Sequence, residues 1–390
     1  MATTAKVQNV GRETSSVRVG FHDLFAAHEP PCVSIFMNLE AGFGAAERNL
    51  LKLKGLLHDA EALVLKAPIA LAETSDFFNA AWRCIDQLNL NPRKEGGIGL
   101  FIAEDFFRFY VLPAVVREHI SIGTQFFVRP ILPTLANDNF FLLALSQDHL
   151  KLFQGTATEL HEVFVKDVPG SLREDFESQS FERENQFHTA SPAGVGRQAA
   201  IHHGPHIQQK DRILRFFRDV DSGIAARLKG QSGPLVLAAV HYLMPIYHQV
   251  NSYPHLLDEG IFGNPDSQKG DLLLSAARAI LEKHYSQERD SVLKMFSENT
   301  HTGLTSTNLR EVVAAAAGGR VRFLLIPDDA EQWGIFDFPD TVHLHAHKEA
   351  GDDELLNLAA VLALRDGGQV FVAPKHSFPQ GAPLAAIYRF

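Results

Sequence analysis

Side chains able to do chemistry gather in two histidine groups and one glycine-bearing loop. His202, His203 and His206 lie in HHGPH, while His343, His345 and His347 alternate in VHLHAH, as on one face of a strand. Three imidazoles at i, i+2 and i+4 can bind zinc. Such a site also wants a fourth ligand and an orienting partner for each ring, and no HExxH pattern or spaced cysteine pair is present; Cys32 and Cys84 stand apart. The balance falls on strand-face or interface histidines, the first group alternatively being a pH-sensitive patch that touches phosphate. No metal is expected. The loop runs Gly194-Val195-Gly196-Arg197-Gln198. Glycine tolerates positive φ and close backbone approach. A Gln amide or backbone N–H can orient a water or meet a developing oxyanion. A helical stretch follows in which Lys210, Arg212, Arg215 and Arg218 can meet phosphates. From Lys210 to Lys229 there are six basic and three acidic residues. An ordinary surface loop, and a solvated helix face on which Asp211 and Asp219 partner the arginines, account for the same residues without chemistry.

Other chemistries lack their residues. No Walker loop, no GxGxxG after a strand and no nucleophile elbow occurs. A magnesium nuclease needs clustered carboxylates. The apolar stretch Phe140–Leu145 holds no acid, and Asp148 falls in a turn. Net charge is −10, and no third of the chain is basic: residues 1–135 carry 13 basic and 14 acidic side chains, 136–268 carry 11 and 16, and 269–390 carry 12 and 16. Any nucleic-acid contact must therefore come from a local patch. The first twenty residues lack an apolar core and read as a polar leader. The longest apolar runs are 5–8 residues, against the ~20 that cross a bilayer. A soluble, cytoplasmic protein with no membrane partner is expected.

Residues 21–135 predict an α/β domain. PCVSIFMNLE alternates Val33, Ile35 and Met37 with Ser34 and Phe36; helices are expected over 45–66 and 76–88, and strands in GIGLFIAE, FRFYVLP and ISIGTQFFVRP. Residues 136–268 predict a second domain, opening with the hairpin NFFLLAL–SQDH–LKLFQGT and ELHEVFV. Residues 166–209 are polar and without periodic apolar positions; a loop that long inside a domain is usually functional. A helix over 209–229 follows, and GPLVLAAVHYLMPIY reads as a buried strand running into a turn. A helix over 271–297 bridges into a third domain, 269–390. Its order is helix (NLREVVAAAA), strand (GRVRFLLI), strand (DTVHLHAH), helix (DDELLNLAAVLALRD) and two strands (GQVFVAP, APLAAIYRF). That alternation implies α/β/α layers.

The order and wording of these segments resemble the archaeo-eukaryotic peptide-release-factor and Pelota superfamily, and more closely its bacterial release-factor-like branch, over nearly all of residues 30–390. FFLLALSQDHLKLFQGTATELHEVFVKDVPG is similar to that family's ribonuclease-H-like central domain. GVGRQAAIHHGPHIQQKDRILRFFRDV resembles its loop that reaches the peptidyl-transferase centre, where Gly-Gly-Gln leads into a basic helix. LLNLAAVLALRDGGQVFVAP and APLAAIYRF resemble its ribosomal-protein-like α/β/α third domain. The resemblance implies a ribosome-associated release or rescue factor with the ribosome and tRNA as partners, room for a translational GTPase, and no cofactor. It implies Gln198, Gly194 and Gly196 as catalytic residues in peptidyl-tRNA ester hydrolysis, an activity confined to the ribosome. It implies Arg197, Lys210, Arg212, Arg215 and Arg218 as RNA-binding residues. Two departures weigh on this. The glycines no longer adjoin Gln198, and the family's Asn-Ile-Lys-Ser is matched only by Asn49-Leu50-Leu51-Lys52 on an amphipathic helix. An intact Gly367-Gly368-Gln369 falls between a helix and a strand, where glycines close the helix. The alternatives are a non-catalytic interaction or stress factor that keeps the fold and, more distantly, a metal-dependent hydrolase using the histidines.

Overall fold

A computed structural model describes residues 21–66, 74–85, 88, 90, 96–104, 106–135, 139–146, 149–166, 168, 205–378 and 381–390. They belong to two units, one made from residues up to 136 together with 285–390, the other from 137–284.

The first unit opens with a four-stranded antiparallel sheet in the order β3-β2-β1-β4: β1 Cys32–Leu39, β2 Gly96–Ala103, β3 Phe106–Leu112 and β4 His119–Gly123. Helices α1 (Ala45–Val64) and α2 (Thr74–Ile85) cover one face. There Val33, Ile35 and Met37 pack with Leu53, Leu57, Phe78 and Ile85. The alternation in β1 suggests a solvated second face, yet Ser34 and Phe36 are buried as well. Phe36, Phe101 and Tyr110 belong to a second core shared with the last third of the chain.

That last third is a mixed sheet, β10-β16-β11-β15, from Thr305–Ser306, Ala385–Tyr388, Val321–Pro327 and Gln369–Ala373. Its parallel pair, β11 and β15, is joined through helix α7 (Leu355–Arg365), which packs beside α6 (Leu309–Ala317). The other face of the sheet meets the end of the long helix α5 (Gly270–Glu298), where Val292 and Phe296 pack on Leu325, Phe371 and Ile387. A small sheet of which periodicity revealed only β13, in the order β13-β12-β14 (Thr341–His345, Trp333–Asp337, Asp353–Glu354), fills the connection between β11 and α7. β13 ends at His345, so His347 leaves the strand and the three histidines do not share one strand face.

The expected strand through residues 120–130 stops at Gly123. The backbone beyond it bonds to side chains instead of a neighbouring strand. Thr124 N–H and hydroxyl donate to Asp353 at 2.9 and 2.6 Å, and Phe127 N–H donates to Ser34 Oγ at 2.9 Å. Asn357 accepts from Val128 N–H at 2.7 Å and donates to Phe126 C=O at 2.9 Å, so its amide stands in for a rung of ladder. Arg129 donates to Pro327 C=O at 2.6 Å and lies 3.4 Å from the buried Glu354, whose carboxylate caps α7 through the N–H groups of Leu356 and Asn357. Burial holds the carboxyls of Asp353 and Glu354 above their usual range.

The second unit is a five-stranded sheet, β7-β6-β5-β8-β9: Leu160–Val163, Leu150–Gly155, Phe140–Leu145, Leu235–Ala239 and Ile261–Phe262. β5, β6 and β7 form an antiparallel meander, while β8 and β9 run parallel to β5. Helix α3 (Pro205–Arg227) carries the chain back to start β8. The expected turn after β8 contains a short helix, α4 (Met244–Val250), opened by Pro245.

Candidate nucleic-acid interface

α3 is where the cationic residues acquire a common direction. Its inward stripe, Ile213, Phe216, Phe217, Val220, Ile224 and Leu228, packs on Leu143, Leu145 and Leu237 of the sheet. At about 100° per residue, that stripe fixes the opposite arc, and Arg212, Arg215 and Arg218 fall on it, all exposed. Asp211 and Asp219 share the arc and are exposed too. The positive face is thus narrower than the count along the sequence implies. Lys210 lies in the first turns of the same helix.

The seat beneath α3 is polar where it must hold register. Asp221, buried, accepts a hydrogen bond from Ser252 N–H at 3.0 Å. Tyr247 packs edge-on to Phe217, and burial, followed by the nearby Asp221, pushes its phenol far up. Tyr253 donates to Gly233 C=O at 2.6 Å, tying the turn after α4 to the start of β8. Gly223 supplies clearance: a Cβ there would run into Val168, where the chain has just left β7. The root of the 166–209 segment is therefore fixed against the middle of α3, and its far end continues into the helix start.

Gly194, Gly196, Arg197 and Gln198 lie outside the described residues, as do His202 and His203. The second Gly-Gly-Gln is fully described. Gly367 takes φ +73°, its N–H bonds Leu364 C=O at 3.1 Å, and Gly368 N–H bonds Ala363 C=O at 2.7 Å. This is the paired closure of a helix end, and Gln369 begins β15. Asn49 is likewise occupied: buried on α1, it accepts from Glu40 N–H at 3.0 Å and donates to the carbonyls of Glu40 and Leu90. His345 sits 2.8 Å from Asp352, and His343 lies 3.3 Å from Asp337. Among the described residues, no three His, Cys, Asp or Glu side chains are placed to hold a metal ion, and no helix is long and apolar enough to cross a membrane.

Residues 139–320, which span the second unit, α5 and α6, match the family described as bacterial archaeo-eukaryotic release factor family 3. The match covers just under half of the chain, and over these residues the chain is similar to that family. No curated protein matches it. Among solved structures, the chain is similar to the archaeal translation termination factor aRF1 at 16% identity, covering 94% of this chain and 95% of that one, TM-score 0.22. It is similar to a chain of ribosome-bound archaeal Pelota and ABCE1 at 12% identity, covering 95% and 93%, TM-score 0.39. With Saccharomyces cerevisiae Dom34, a translation termination-like factor interacting with Hbs1, it shares 12% identity over 76% and 80%, TM-score 0.33. With TM-scores this low, the family match is the comparison that counts.

The residues that sequence reasoning missed are Asp221, Tyr247 and Ser252, which seat α3. They belong to no motif. The one available signal was an acidic residue at position 221, directly after Val220 on the edge of the apolar stripe of α3.

Proposed function

We propose that the chain is a ribosome-associated factor of the release or rescue type, with the arginine arc of α3 set against tRNA or ribosomal RNA phosphates and the segment before it directed toward the peptidyl-tRNA ester. The carrying observation is the match of residues 139–320 to the bacterial release factor family, the region that holds both α3 and the loop. In this reading the ribosome supplies most of the catalytic surroundings. Gly194 and Gly196 provide a narrow tip, Gln198 orients water, and Arg197, Lys210, Arg212, Arg215 and Arg218 hold the backbone of the RNA. The stretches 21–135, 136–268 and 269–390 serve as three functional parts, the middle one ribonuclease-H-like and the last ribosomal-protein-like. A translational GTPase is the delivery partner proposed, and the setting is the cytoplasm.

Cosedimentation with 70S ribosomes tests the first step. Binding that weakens with salt is expected; free migration at all salt and tRNA states overturns the proposal. Gln198→Ala then separates hydrolysis from occupancy, since only a hydrolytic factor loses peptide release. A second reading, a non-catalytic interaction or stress factor, draws on the net charge of −10 and on Asp211 and Asp219 within the arginine arc. It expects no ribosome cosedimentation and a protein partner held by an acidic surface.

A further inference from the structure

α1 carries a second stripe away from the sheet, apolar at its ends and interrupted by His58, whose ring rests 4.6 Å from that of Trp82 and whose Nδ1 lies 3.2 Å from Glu61. Its inward stripe, Ala45, Asn49, Leu53, Ala60 and Val64, is buried against the first sheet. On the opposite side lie Leu51, Gly55, His58, Ala62 and Leu65, spaced 4, 3, 4 and 3 residues apart, all exposed. Leu51 is 74% and Leu65 69% exposed, although both are fully apolar. This is the spacing of a coiled-coil seam. At its middle, a Cβ on Gly55 would meet nothing within 4 Å, so a facing helix can approach there closely.

Side-chain size along the seam and the charges beside it select the occupant. Lys52 and Lys54 lie before its midpoint, Asp59 and Glu61 after it. A second α1 laid antiparallel about the point between Leu56 and Leu57 brings Leu51 to Ala62 of the second copy and His58 to Gly55 of the second copy. On one flank Lys54 then nears Glu61 of the second copy, and on the other Lys52 nears Asp59 of the second copy. Each contact occurs twice by symmetry. A parallel pair also sets Lys54 near Asp59 of the second copy, but it faces His58 with His58 and Gly55 with Gly55, where the antiparallel pair sets large against small. We propose that this face is an isologous docking surface for a second copy of the chain, formed by α1 against α1 antiparallel. The seam is ~30 Å long, at the small end of stable interfaces, so association depends on concentration. Lys52 and Glu61 already contact Glu118 and Trp82 within the chain, and the second copy adds to those partners.

The test is the mass of the full chain by light scattering from micromolar to hundreds of micromolar. A rise toward twice the 43.1 kDa chain mass is expected, and Leu51→Glu, an exposed change that leaves the circular dichroism melt intact, should abolish it. The register is checked with the double variant Leu51→Cys, Ala62→Cys. A short bismaleimide should link two copies of it, while Leu51→Cys alone, whose two copies sit far apart along the seam, should not link. A chain that stays monomeric throughout, a dimer unmoved by Leu51→Glu, or crosslinking by Leu51→Cys alone overturns the proposal. So does a chain that dimerises only after residues 1–20 are removed, which would assign the face to that segment.

Discussion

Asn357→Ala removes a side chain that replaces part of a sheet. The Asn357 amide accepts from Val128 N–H and donates to Phe126 C=O, and all of these atoms are buried. Alanine leaves one donor and one acceptor of the backbone without partners, each costing about 1–3 kcal/mol. The loss should be about 2–6 kcal/mol. Ser34→Ala provides the scale, because it orphans only Phe127 N–H and should cost about 1–3 kcal/mol. The assay is urea unfolding followed by tryptophan fluorescence. Trp82 and Trp333 are the only two tryptophans and both lie in the first unit, so the signal reports the unit that the mutation strikes. A cost below about 1 kcal/mol for Asn357→Ala, or one no larger than that of Ser34→Ala, would refute the account of why β4 ends where it does.

Gln369→Ala should leave ribosome-dependent peptide release unchanged while Gln198→Ala abolishes it, because the first glutamine starts a strand after a closed helix end; equal loss from both would reverse the assignment. Replacing Arg212, Arg215 and Arg218 together by Glu should weaken ribosome cosedimentation about tenfold or more at low salt and flatten its salt dependence; undiminished binding would remove α3 from the interface. Asp353 has its carboxyl raised by burial, so its contribution to stability is greatest below the ordinary carboxylate range and fades as pH climbs through the raised value. Asp353→Asn keeps an acceptor for Thr124 N–H, and its advantage over the parent in fluorescence-monitored unfolding should grow from pH 4 to pH 7; a constant difference would show that the carboxyl titrates as if in water. Gly367→Ala, at φ +73° and with only an ordinary 3.9 Å contact to Arg389, should cost about 1–2 kcal/mol from backbone strain alone.

Strong periodicity made most elements legible. α1, α3, α5, α6 and α7 fall close to where their apolar repeats place them, and the hairpin of β5 and β6 follows from its alternation and its polar turn. Gly367 and Gly368 were recognisable as helix closure because a helical repeat precedes them and an alternating one follows. The errors arose where side chains overrule local pattern. Residues 124–128 look like strand, but Ser34, Asp353 and Asn357 take their backbone bonds from a distance no local window covers. β1 is apolar and buried on both faces, and local pattern could not say that its second face lies in a core shared with residues from the other end of the chain. Trp333–Asp337 is too short and mixed to declare itself. At the candidate interface, sequence spacing offered both the exposed arginines and Asp211 and Asp219 among them, but it could not fix how α3 is rotated on its sheet, which puts all five on one arc. Nor could it find Asp221, whose partner is a backbone amide beyond the next strand and helix.

The two-faced burial of β1 also sets an order of assembly during synthesis. α1 and α2 can cover one side of the first sheet as soon as they emerge, and Tyr110, Phe126 and Phe127 can cover part of the other, but the core that holds Phe36 and Phe101 is completed only by α6, α7 and β16, which follow the whole of the second unit. The inserted unit can close its own sheet in that interval, since every strand it uses is already made. A nascent chain halted between β9 and α6 therefore displays part of an aromatic surface at its front while its middle is finished, and a chaperone that recognises exposed phenylalanines would have its longest opportunity there.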